Sequence, residues 1–182
     1  MLFVTIRHDH RAWCHPMGFH GDIDVQSDSE SIVANPSRIR PPIAYVAAIL
    51  TGFALHYWWP VALSTGRWGI PVGLVLIALA ITIFLLSLQQ FRSAGTPVRG
   101  NQPTTTIVRS GPFRFSRNPI YMAFTLLQLG IAMVSASLWV LVAVVPAVAL
   151  IRLSVIPREE HYLEAKFGEE YLKYRSSVRR WL

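Results

Sequence analysis

The chain has a single cysteine, Cys14, among its 182 residues. That excludes an internal disulfide framework and any multi-cysteine metal or iron-sulfur site. Acidic residues are scarce as well: 10 Asp and Glu stand against 17 Lys and Arg, for a formal net charge of +7. In a soluble protein such a surplus would suit nucleic acid, but here the arginines flank apolar segments instead of forming a basic domain, so no nucleic-acid partner is expected. There is no G-x-G loop following a strand and no alternation of strand and helix, which excludes a soluble nucleotide-binding sheet. Nor does the beginning show a charged segment, an apolar stretch and a small-residue cleavage site in succession. No secretory signal peptide is expected, and insertion relies on later segments. Internal repeats and low-complexity tracts are also missing.

What is present is apolar: 52% of residues are hydrophobic and only 15% charged, the balance of an integral membrane protein. Residues 1–37 are polar and irregular and read as a tail. His8, His10, Cys14, His15 and His20 are potential ligands there, but their spacing matches no zinc pattern, and no metal site is expected. Residues 38–182 read as one membrane domain with spans over about 43–59, 70–88, 119–135 and 138–156 and further helices over about 158–180. Tyr57, Trp58 and Trp59 close the first span as an interfacial aromatic belt. Only the sequence SAS separates the last two spans, which must form a tight antiparallel hairpin. Within the spans His56, Gln128 and Arg152 are the polar exceptions; so few of them argue against half of a transporter, and Arg152 can snorkel to an interface. The fold class is therefore all-α integral membrane: four spans, the last two a hairpin, followed by cytoplasmic amphipathic helices. Arg38 and Arg40, the cluster from Arg92 to Arg117, and the cations from Arg152 to Arg180 lie on one side, leaving Arg67 alone on the other. The positive-inside rule then puts both termini and the long central loop in the cytoplasm.

The third span opens with RSGPFRFSRNPIYMAF, residues 109–124. Gly111-Pro112 marks a turn; Asn118 is placed to cap the amides near Tyr121, with Pro119 at the first helical position. The helix start, reinforced by Arg114 and Arg117, suits a carboxylate or phosphate. After the fourth span, Glu159 and Glu160 follow Pro157 directly, and a tight hairpin returns them close to Arg117 and Asn118. Opposed carboxylates and an arginine-bearing helix start beside lipid suit a small zwitterion. Solvation of a helix start by acids explains the same glutamates without any ligand. Further on, Leu163, Phe167, Tyr171, Tyr174 and Val178 share one face, with Gly168 a break between two helices and Glu169 and Lys173 at a supportive spacing.

These two elements, SGPFRFSRNPIY and REEHYLEAKFGEEYLKYRSSVRRWL, resemble the isoprenylcysteine carboxyl methyltransferase and phospholipid methyltransferase superfamily. Its members carry G-[PY]-[FY]-x-x-x-R-[HN]-P-x-Y and E-E-x-x-L-x-x-x-F-G-x-x-Y-x-x-Y in that order, and the likeness extends over about residues 90–180. The resemblance implies an S-adenosylmethionine-dependent methyltransferase whose cofactor sits on the cytoplasmic side, between the hairpin and the final helices. Carried over by position, it implies Arg117 and Glu160 as catalytic residues and Val108, Ser110, Gly111, Asn118, Pro119, Tyr121, Glu159 and Glu160 as cofactor contacts. Histidine is frequent in the family where Asn118 stands, so imidazole chemistry is lost at that position. The implied partners are membrane lipid and a lipophilic or small methyl acceptor: a prenylated cysteine carboxylate, a phospholipid amine or a thiol. A non-enzymatic scaffold or lipid-binding subunit is the alternative, and it predicts no affinity for the cofactor.

Overall fold

Prolines begin and interrupt the helices of this chain. The computed structural model describes residues 40–95 and 106–181, so the expected tail and its histidines lie outside the described residues. Helix α1, Pro41–Trp58, has proline at its first positions, where a missing N–H costs nothing. It stops at Trp59, whose amide reaches the Leu55 carbonyl at 2.7 Å. A short 3₁₀ turn, Gly66–Trp68, leads into α2, Gly69–Ser93. Helix α3, Pro119–Val134, is the inbound arm of the hairpin. The outbound arm is one 30-residue rod, Leu138–Phe167, made of α4 (Leu138–Val142), α5 (Val144–Leu150), a π turn (Ile151–Val155) and α6 (Ile156–Phe167). Gly168, with φ +52°, breaks the rod and α7, Glu169–Ser177, follows. No strand forms among the described residues; an isolated bridge between Ala62 and Ser137 ties the loop after α1 to the hairpin turn.

Helices thus occupy all four apolar stretches. Two helical stretches, Gly66–Ser93 and Leu138–Phe167, are long and apolar enough to cross a membrane, while α3 is apolar but only 16 residues long. Leu74, Val75, Leu79, Ile81, Leu85 and Leu86 lie exposed along α2, a continuous apolar surface suited to lipid and not to water. At one end of the bundle Tyr57, Trp58, Trp59 and Trp68 are exposed, and the Trp139 indole donates to the Trp59 carbonyl at 2.6 Å. The three aromatics that end α1 thus gather with residues from two other segments at this end of the bundle.

Lipid tails are as apolar as leucine, so close backbone approach must hold such helices together. Gly73, Ala80 and Ser87 form a buried row of small residues seven apart on α2, and Ala123 and Gly130 are buried on α3. A Cβ built on Gly73 would stand 2.8 Å from the Gly130 carbonyl oxygen, and one on Gly130 would stand 2.8 Å from that of Gly73. The two backbones touch at this pair. Likewise α1 meets α4 at Gly52, where a Cβ would lie 2.7 Å from the Val140 Cα.

The hairpin turns at residues 135–137, with Ala136 in the left-handed region at φ +48° and the Ser137 hydroxyl accepting from the Val140 amide at 3.4 Å. Gln128, fully buried, spans the arms by donating to the Val140 carbonyl at 3.3 Å. Two prolines then irregularise the outbound rod. Pro146 cannot bond back to Val142, and the helix breaks at Ala143 beside it. Pro157 cannot bond back to Leu153, and the turn containing Leu153 is widened, with the Ile156 amide reaching the Ile151 carbonyl. Buried positions run Val144, Ala147, Ile151, Val155, then resume at Ile156 and Glu160. The consecutive pair Val155-Ile156 shows that the π turn absorbs one extra residue and thereby sets which face Glu159 and Glu160 present.

Candidate functional site

The loop before α3 is assembled against two neighbours. Gly111 has φ +58°, and a Cβ there would stand 2.9 Å from Gln90 Cγ, so glycine satisfies both the turn and the close approach. The adjacent Ser110 hydroxyl donates to Gln90 Oε1. Phe113 is buried, edge-on to Phe91 with ring centroids 5.1 Å apart, and its carbonyl accepts from the Tyr174 hydroxyl at 2.8 Å. Arg109 reaches across to the Glu170 carbonyl at 3.1 Å and to its carboxylate at 3.0 Å. These contacts dock α7 onto the loop. Burial pushes the Tyr174 hydroxyl up to about 12, with Tyr171 adding to the shift, so it remains a donor.

A strap formed by residues 178–181 then folds back over the start of α3. The Arg117 amide donates to the Arg179 carbonyl at 2.9 Å. The Arg180 carbonyl accepts from Asn118 Nδ2 at 3.1 Å and from the Ser116 hydroxyl at 3.2 Å. The expected cap is therefore corrected: Asn118 precedes Pro119 at the helix start, but its side chain makes no capping bond to the helix. The strap carbonyl lies within its reach and takes the amide instead. Trp181 packs against the buried cluster formed by Tyr45, Ala147, Ile151, Val155 and Ile156, as Tyr121 and Phe124 also do.

Beneath the strap the two glutamates have different surroundings. Glu160, 7% exposed, pairs with Arg117 Nη1 at 3.0 Å and forms a two-pronged pair with Arg180, whose Nε lies 3.0 Å from Oε1. Glu159 turns the other way and accepts from the Tyr121 hydroxyl; no cation among the described residues lies within ion-pair distance of it. About 20 residues suffice to cross a hydrocarbon core, and Glu159 lies beyond the first 20 residues of the 30-residue rod, after the expected span over about 138–156. Burial pushes its carboxyl up to about 7; the Tyr121 bond opposes the shift and the charge on Glu160 adds to it. Arg180 is held above its ordinary value by its bond to Glu160. A polar chain continues inward from Tyr121, whose carbonyl accepts from Thr125 Oγ1 at 2.9 Å, while Tyr45 and Thr125 share a 2.8 Å hydrogen bond.

Of the residues singled out from sequence, Arg117, Asn118, Pro119, Tyr121, Glu159 and Glu160 converge where the hairpin arms and the strap meet. Ser110 and Gly111 lie instead against Gln90 at the end of α2, and Val108 is buried near them in the chain. Tyr171 and Tyr174 are buried as their spacing suggested, but Leu163 and Phe167 are only half-buried and Tyr162 is buried in their place. The spaced pair Glu169 and Lys173 forms no ion pair; Glu170 pairs with Arg109 and Glu164 with Arg175. Sequence reasoning missed Arg180 and Trp181. Their only signal was positive charge and an aromatic at the close of a helix.

Three buried donors here, Arg117 Nε and Nη1 and Trp181 Nε1, make no hydrogen bond among the described residues, although Nη1 lies in ion-pair contact with Glu160. Buried donors without partners cost stability, and Glu159 likewise has no cation within ion-pair distance among the described residues. A family model described as phospholipid methyltransferase matches residues 68–170. A relative from Haemophilus influenzae, described as an uncharacterized protein, is 67% identical over 27 residues, 15% of this chain and 43% of that protein, so the match spans less than half of the relative. No solved structure matches. The matched span runs from the start of α2 through the hairpin, both glutamates and into α7, more than half of the chain, and the chain accordingly belongs to the phospholipid methyltransferase family, within the isoprenylcysteine/phospholipid methyltransferase superfamily.

Proposed function

We propose that this protein is an S-adenosylmethionine-dependent methyltransferase acting on a lipophilic or small acceptor: an isoprenylcysteine-like carboxylate, a phospholipid amine or a thiol. The observation that supports it most directly is the meeting of the two family elements, Arg117 with Glu160 and Tyr121 with Glu159. In this reading all four apolar helices cross the bilayer, with both termini and the site on the cytoplasmic side, because the arginines of the loop and of α6 and α7 gather at that end.

The residues suit the cofactor's amino-acid end. Arg117 Nε is a donor for its carboxylate, and Glu159 and Glu160 are acceptors for its ammonium or for ribose hydroxyls. Asn118, Pro119 and Tyr121 line the same corner; Val108, Ser110 and Gly111 offer backbone contacts toward α2. When bound, the cofactor supplies an electrophilic methyl group on a positively charged sulfur. The protein contributes orientation and the exclusion of water, with Arg117 and Glu160 fixing the geometry. A carboxylate or thiolate acceptor needs no base; an ammonium acceptor would give its proton to a Glu159 carboxylate oxygen.

The test is calorimetry of the detergent-solubilised protein with S-adenosylhomocysteine, followed by incubation of lipid extracts with methyl-labelled cofactor. Saturable binding and a labelled extractable product are expected. Absence of binding refutes the reading and leaves the scaffold alternative.

A further inference from the structure

The strap takes the face of Glu160 that an incoming ammonium group would need. Glu160 has two cationic partners, and they differ in kind. Arg117 is anchored in the hairpin, with 11% of its side chain exposed; Arg180 comes from the strap, with 36% exposed. Solvent screening makes the second pair the weaker one, and the strap is held besides by the carbonyls of Arg179 and Arg180 and by Trp181. Opening the strap would free one edge of the Glu160 carboxylate, release the Arg117 amide and lift Trp181 from the buried cluster it packs against, while Arg117 kept Glu160 in position.

We infer that Arg180 and Trp181 form a latch on this site: Arg180 holds Glu160 as an internal competitor for the ammonium of an amino-acid-bearing adenosine ligand, which must displace it to bind. The inference rests on the methyltransferase reading and adds to it two residues and an order of events. The exchange is cation for cation at one carboxylate and leaves the charge of the site balanced. Arg180 moves into solvent, where a guanidinium is well hydrated, and the strap moves with it. Arg180 is thus a positioning residue, acting through Glu160.

The test compares S-adenosylhomocysteine, which carries the ammonium, with methylthioadenosine, which lacks the amino-acid end, on the full chain and on Arg180→Ala. Loss of a partly exposed pair should strengthen S-adenosylhomocysteine binding about two- to fivefold and leave methylthioadenosine affinity unchanged. Amide exchange on the unaltered protein gives a second readout. Exchange at Arg117, whose amide is bonded to Arg179, should accelerate when S-adenosylhomocysteine is added and not when methylthioadenosine is added. Weaker or unchanged S-adenosylhomocysteine binding by Arg180→Ala, or increased protection at Arg117 on binding, overturns the latch and leaves the methyltransferase reading standing. Failure of the unaltered protein to bind S-adenosylhomocysteine overturns both.

Discussion

Replacing Glu160 with glutamine keeps the side chain's shape and removes its charge, leaving the buried Arg117 guanidinium with no carboxylate within ion-pair distance among the described residues. Removing one partner of a buried pair costs about 3–5 kcal/mol, most of it the penalty on the charge left behind. Arg117 has little access to compensating water, with 11% of its side chain exposed, and its Nε already lacks a partner. The Arg180 pair is more exposed, so Arg180→Ala should cost only about 0.2–1 kcal/mol. Arg117→Ala falls between them, since Glu160 keeps Arg180. For a chain of this size each kcal/mol shifts the midpoint by about 2–4 °C, giving about 6–20 °C for Glu160→Gln and at most about 4 °C for Arg180→Ala. Thermal unfolding in detergent micelles, followed by tryptophan fluorescence, measures the series. An Arg180→Ala loss as large as that of Glu160→Gln, or a Glu160→Gln protein as stable as the parent, would refute the division of Glu160 into an anchoring and a releasable partner.

Gly73→Val places a Cβ 2.7 Å from Val134 Cγ2 and 2.8 Å from the Gly130 carbonyl, so α2 and α3 must separate; a loss of about 1–3 kcal/mol or more is expected in the same unfolding assay. Glu159 has its carboxyl raised from 4.5 to about 7, so between those values the folded protein keeps a proton that the unfolded chain has lost. Its contribution therefore lowers stability as pH rises through that window, by on the order of 3 kcal/mol, and levels off above it; Glu159→Gln should remove that part of the slope in unfolding measured from pH 5 to 8. Deleting Ser154 removes the residue that the π turn absorbs and should leave Glu160 facing Arg117, so S-adenosylhomocysteine binding survives in calorimetry, whereas inserting an alanine after Ser154 should abolish it.

Composition and periodicity alone determined the all-helical class and the places of the helices, because long apolar runs, proline at helix starts and glycine after Phe167 act locally on the backbone. The short separation of α3 from the outbound rod also made the return of Glu159 and Glu160 toward Arg117 legible, since three intervening residues permit little else. Only the tertiary structure decided what each polar group bonds to. The contact of Gly73 with Gly130 depends on the register of two helices distant in sequence. That Glu160 and not Glu159 faces Arg117 depends on the π turn absorbing one residue upstream. Asn118 gives its amide to the Arg180 carbonyl instead of capping its own helix because residues 178–181 fold back over it, and no local preference at position 118 encodes a partner some sixty residues away.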